Sequence, residues 1–146
     1  MTNDTDNFYM RQALAEAGEA YRQGEVPIGA VVVCRDKVIA RSHNLTELLR
    51  DVTAHAEMQA VTAAAAHLGG KYLNDCTLYV TVEPCAMCAG ALGWSQIGRI
   101  VFGAPDEKRG YLRFAPRALH PRTEVIGGVM ADECAGLIRR FFRERR

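Results

Sequence analysis

Two short stretches place the strongest demand on how this chain can fold. One is His55-Ala56-Glu57 and the other is Pro84-Cys85-Ala86-Met87-Cys88. Residues 58–83 lie between them, so the fold must carry the chain out and back through that span. Together the stretches supply one imidazole, two thiols and one carboxylate. Such a set can hold a zinc ion through three side chains and leave its fourth position open to water. The remainder of the chain can be read as scaffold for that meeting, or as surface that selects what approaches it.

The 146 residues suit a single domain, 1–146, long enough to bury a core without disulfides. No apolar run reaches the roughly 20 residues of a membrane helix. The N-terminus, Met1-Thr2-Asn3-Asp4-Thr5-Asp6, lacks the basic and apolar regions of a secretory leader, which predicts a cytoplasmic protein. Five cysteines in such a chain argue against a disulfide framework. Cys34, Cys76 and Cys134 lie in or beside apolar segments and read as small buried hydrophobes. Net charge is only +1, but residues 1–97 carry −4 and residues 98–146 carry +5. That asymmetry fits either a face for a polyanion or an ordinary solvated helix end.

Apolar residues recur at spacings of three and four over 7–23, which predicts a helix capped by Asp6 or Asn7 and ended by Gly24. Residues 27–34 read as a buried strand, 35–37 as a tight turn and 38–40 as the hairpin partner. The polar stretch 42–51 reads as a loop. Residues 54–68 form an alanine-rich helix, with Thr53 as its expected cap and Gly69-Gly70 as its stop. A strand follows at 77–82, and a helix opened by Pro84 runs to about Trp94. Residues 99–103 are a strand, 104–123 loop-like with three prolines, 123–127 a short strand, and 131–145 a last helix. A hairpin followed by βαβ units predicts one mixed sheet with helices on both faces.

Cys85 and Cys88, three apart near a helix start, should present both sulfurs to one side. The helix dipole there favours thiolates, the form that binds metal. Taken alone, the pair is as compatible with a redox Cys-x-x-Cys as with metal. His55 decides for metal. Residues two apart on an ideal helix point to nearly opposite sides. His55 and Glu57 can therefore share a site only at a frayed first turn, where the side chains curl around the helix end. Zinc lowers the pKa of bound water to near 7, so hydroxide is available to attack an amine-bearing ring carbon. Glu57 is the candidate proton shuttle, its pKa set by burial against the neighbouring metal. His-x-Glu followed by Pro-Cys-x-x-Cys is the signature of zinc-dependent nucleobase deaminases.

The chain resembles the cytidine deaminase superfamily, and within it the bacterial tRNA-specific adenosine deaminases. The resemblance rests on residues 25–31, His43-Asn44, residues 53–57, residues 78–91, residues 100–104, Asp132-Glu133-Cys134, and Phe141-Phe142 with Arg145-Arg146. It implies a three-layer α/β/α cytidine-deaminase-like fold with a mixed sheet of about five strands. It also implies a homodimer with active sites near the subunit boundary, one zinc ion per subunit on His55, Cys85 and Cys88, and Glu57 as shuttle. Family members convert the wobble adenosine of a tRNA anticodon to inosine, so the anticodon loop is the implied partner. The resemblance further implies that Asn44 bonds the flipped base and that Val26, Pro27 and Ile28 line its pocket. On its own residue type, Asn44 is equally a turn residue.

Two departures stand out. Val52 occupies a position where the family has proline, and residues 109–123 lack the family's usual features. Three functions follow for weighing. The first is a tRNA adenosine deaminase, with Arg139, Arg140, Arg143, Arg145 and Arg146 on phosphates and Tyr111 or Phe114 stacking on bases. The second is a deaminase of a free nucleobase or nucleoside, such as guanine, adenine or cytosine. The third is a zinc-stabilised RNA-binding or redox protein, which would have no use for Glu57.

Overall fold

The computed structural model describes residues 3–145. Its sheet has the order β2-β1-β3-β4-β5. The strands are β1 (Gly29–Cys34), β2 (Lys37–His43), β3 (Cys76–Val82), β4 (Arg99–Ala104) and β5 (Glu124–Ile126). β1 is antiparallel to β2 and to β3, whereas β3–β4 and β4–β5 are parallel. The sheet is therefore mixed, as the element order predicts.

Period-two alternation sends neighbouring strand residues to opposite faces. Val31, Val33, Tyr79 and Val101 pack with Met10 and Ala13 of α1 (Asp4–Arg22) and with Cys134 of α5 (Ala131–Glu144). Ala30, Val32, Leu78, Val80 and Ile100 pack with Ala56, Ala60 and Ala64 of α2 (Ala56–Leu68) and with Leu92 of α3 (Ala86–Ser95). Helices on both faces complete the three layers. Small side chains let α1 lie close on β1. A Cβ added at Gly29 would run into the backbone of Ala13 and Ala17.

Several boundaries differ from expectation for physical reasons. Asn3 caps α1, accepting from the Asp6 amide at 2.7 Å. Asp6 is buried and paired with Arg99 instead, and Asn7 lies inside the helix. Thr53 does not cap α2, because both its amide and its hydroxyl bond to Asp51 Oδ1. Gly69, at φ +71°, ends α2 as expected. Pro84 precedes α3 rather than opening it. A single turn, α4 (Tyr111–Phe114), interrupts the segment expected to be loop. Cys34, Cys76 and Cys134 are all buried. Arg146 lies outside the described residues.

Register fixes what meets where. Gly29 pairs with His43, Ala30 with Val80, and Val82 with Ala104. The start of β1 and the ends of β2, β3 and β4 therefore share one end of the sheet. The segments leaving that end carry Asn44, Glu83, Pro84 and Cys85.

Candidate active site and metal centre

Two helix starts converge at that end. His55 is the N-cap of α2, with φ −70° and ψ 155°, and Cys85 is the N-cap of α3, with φ −74° and ψ 173°. Both residues are extended, not helical. That resolves the geometric demand made by His55 and Glu57. His55 stands just ahead of the spiral and Glu57 on its first turn, so both line one cavity of about 200 Å³. Cys88, on the first turn of α3, folds back toward Cys85. The ligand atoms of His55, Cys85 and Cys88 all lie within 4.8 Å of one another. His55 Nδ1 is 3.6 Å from Cys85 Sγ and 3.4 Å from Cys88 Sγ.

Those separations fit a metal. Bonds of about 2.3 Å to sulfur and about 2.0–2.1 Å to nitrogen at tetrahedral angles put the two donors about 3.6 Å apart. The electrostatics agree. The Cys85 thiol is pushed down to about 4, first by its contact with Cys88 and then by His55. The same contact, together with burial, pushes Cys88 up. The Cys85 contact raises the His55 imidazole. Burial pushes Glu57 up to about 7, where a carboxyl both gives and takes protons near neutrality.

Val26, Ile28, Asn44, Thr46 and Ala56 form the rest of the cavity wall. Asn44 serves here as a turn residue too, since its Oδ1 accepts from the Thr46 amide at 3.2 Å. Its Nδ2 donates to Val26 O at 3.4 Å. Pro27 is buried and is not part of the cavity lining. Tyr111 is 4 % exposed and belongs to the core, whereas Phe114 is open to solvent.

Four polar side chains that support this site were not singled out by sequence reasoning. Glu25 is buried and accepts from the amides of Glu47 and Leu48, at 3.0 and 2.8 Å. Glu83 accepts from the amides of Asp106 and Leu112, at 3.0 and 3.2 Å. Ser42 Oγ donates to Ala56 O at 2.7 Å. Gln59 Nε2 reaches the carbonyls of His43, Ala54 and His55. Glu25 and Glu83 do carry a signal in the sequence, as acidic residues at the margins of apolar strands.

The cavity adjoins a larger groove of about 860 Å³, with Val26 and Ile28 lining both. Its apolar surface includes Val82, Ile138 and Phe142. Among the described residues, Lys108, Arg109, Arg139 and Arg145 line it alongside a single acid, Asp106.

A family profile described as MafB19-like deaminase matches residues 3–146. The chain belongs to this deaminase family. A curated tRNA-specific adenosine deaminase of Bacillus subtilis (strain 168) is 45% identical, with 97% of this chain and 91% of that protein covered. A solved structure from work on A-to-I editing by tRNA:A34 deaminases at the wobble position of transfer RNA is 42% identical. It superposes with a TM-score of 0.83 over 89% of this chain and 98% of its own. A guanine deaminase structure from Bacillus subtilis is 36% identical, with a TM-score of 0.65 over 72% of this chain and 66% of its own. Deaminases of this family thus share both the three-layer fold and, with the first two, nearly the whole length of the chain.

Proposed function

We propose that this protein hydrolyses the wobble adenosine of a tRNA anticodon to inosine, with zinc on His55, Cys85 and Cys88 and with Glu57 as proton carrier. The observation that carries the reading is the buried Glu57 carboxyl in the same small cavity as His55, at the foot of a basic groove. The near full-length similarity to tRNA-specific adenosine deaminases gives the substrate class.

Zinc bound at this donor set would acidify a water molecule and make it nucleophilic near neutral pH. The chain's own residues do the rest. Asn44 and the backbone near Val26 orient a base extruded from the anticodon loop, a single base suiting the small cavity. Glu57 takes the proton released as water oxygen bonds to the amine-bearing carbon, and passes it to the neighbouring ring nitrogen. The second proton of that water, now on the hydroxyl at this carbon, passes through Glu57 to the exocyclic amine, which leaves as ammonia as the C–N bond breaks and the carbonyl forms. The net change is adenosine plus water to inosine plus ammonia. In this reading Lys108, Arg109, Arg139 and Arg145 hold phosphates of the flanking nucleotides and the exposed Phe142 ring stacks on a base, which their shared lining of the groove supports.

The same reading makes residues 1–146 one domain of a cytoplasmic homodimer. Supporting the dimer, α3 presents Met87 and Trp94 to solvent at helical spacing, and Trp94 is 87 % exposed. No described helix is long and apolar enough to cross a membrane. Light scattering on the wild type and on Trp94→Glu tests the dimer, with loss of the dimer expected in the variant.

The guanine deaminase similarity keeps one other reading in play, a free base as substrate. Incubation with a tRNA anticodon stem-loop and with free guanine, adenine and cytosine, reading ammonia and inosine, separates them. Inosine in the RNA is the expected result. Ammonia from free guanine alone would replace the RNA reading with the free-base one.

A further inference from the structure

A glutamine on the first turns of an exposed helix usually points to water. Gln59 points inward and spans two segments. Its Nε2 lies 2.7 Å from His43 O, 3.1 Å from Ala54 O and 3.4 Å from His55 O. His43 immediately precedes Asn44, and His55 is a candidate metal ligand. One side-chain amide thus ties the exit of β2 to the entry of α2.

We infer that Gln59 is a positioning residue that sets the spacing between Asn44 and the metal-binding end of α2. The inference rests on the deaminase reading above. Asn44 is held from the far side by the segment that leads into β1, through its amide to Ile28 O at 3.1 Å and through Nδ2 to Val26 O. From the metal side the ties are the Leu45 amide to Ala54 O at 3.0 Å, Ser42 Oγ to Ala56 O, and Gln59. Glu25 fixes the crown of the intervening loop through Glu47 and Leu48. Of these ties, Gln59 alone contacts the residue before Asn44 and the His55 backbone together. Without its N–H groups the base of the loop can slide while the loop crown and the helix stay in place. A base oriented by Asn44 would then meet Glu57 and the metal out of line, and small misplacements of reacting groups are costly in rate.

Gln59→Met removes the donors at nearly constant length and is compatible with a helix. Measured on the zinc-loaded enzyme, it should keep full metal content and lower kcat by about tenfold with little change in KM. Amide exchange at Asn44 and Leu45 should quicken while the middle of α2 keeps wild-type protection. In an Asn44→Ala background the Gln59→Met penalty should nearly vanish, because the two act through one contact. Gln59→Ala serves as a second donor-free variant should Met at this place impair folding, and it must show the same pattern.

Unchanged kcat in a folded donor-free variant, full additivity with Asn44→Ala, or unchanged exchange at Asn44 would overturn the inference. The kinetic cycle uses whichever substrate the wild type turns over, RNA or free base. Failure of the RNA reading is therefore distinguishable from failure of the Gln59 inference, and the exchange measurement needs no substrate.

Discussion

Arg99 grips Asp6 with two parallel bonds, Nη1 to Oδ1 at 2.8 Å and Nη2 to Oδ2 at 2.7 Å. Tyr79 adds its hydroxyl to Oδ1 at 2.8 Å. The cluster pins the first turn of α1 to β3 and β4. Removing the carboxylate leaves the guanidinium without its main partner, so Asp6→Ala should cost about 3 kcal/mol in urea unfolding.

The same carboxyl gives a pH dependence. Hydrogen bonding to Arg99 holds Asp6 below the ordinary aspartate value of 3.8. A depressed folded pKa means that the folded state binds its proton later than the unfolded state does. The stabilisation is therefore complete above the unfolded value and is lost as pH falls from there through the folded one. Unfolding midpoints taken from pH 5 downward should fall more steeply for the wild type than for Asp6→Asn. Parallel curves would remove Asp6 as the cause.

Glu57 and the three candidate metal ligands should separate cleanly by substitution. Glu57→Ala should retain one zinc per chain and lose turnover by a factor of at least about 10². Metal analysis alongside ammonia release checks this, and loss of zinc would make Glu57 a ligand. Cys85→Ala and Cys88→Ala should each lose zinc and also melt at lower temperature, since metal binding contributes to folding.

Binding to RNA should be strongly salt dependent if the groove holds phosphates. Arg139→Ala should weaken binding of an anticodon stem-loop and reduce the slope of log affinity against log salt by about 0.7. A slope equal to that of the wild type would take Arg139 off the RNA.

Gly110 offers a test of how the groove is built. A Cβ there would meet the Glu83 carboxylate and the Asp106 carbonyl. Gly110→Ala should therefore loosen the segment that carries Lys108 and Arg109, at a cost of about 1–3 kcal/mol. RNA affinity should fall while zinc content stays at one per chain. Thermal melts and filter binding report the two effects.

The sheet and its flanking helices were legible in the sequence because periodicity is a local signal, and the meeting of His55 with Cys85 and Cys88, distant as it is, because the two motifs form a known pair. What was not legible depends on contacts distant in sequence. Asp6 has the residue type of a cap, yet its partner Arg99 lies far along the chain. Thr53 has the type of a cap too, and is claimed by Asp51. Tyr111 could stack on a base by type, but the turn of α4 packs it inside. Glu83 and Gln59 show their roles only once the backbone groups they serve are brought to them.

The two helices that carry the candidate metal ligands begin at that cluster and run away from it. Their far ends, at Gly69 and Gln96, both adopt left-handed backbone. Length at those ends is independent of the ligand positions, so the exposed Gly69-Gly70 corner can accept an inserted peptide, a label or a fused domain without moving the site. The starts have no such freedom. One residue added between His55 and Glu57 would rotate the carboxylate by about a quarter-turn or more, and the chemistry would be lost while the fold survived.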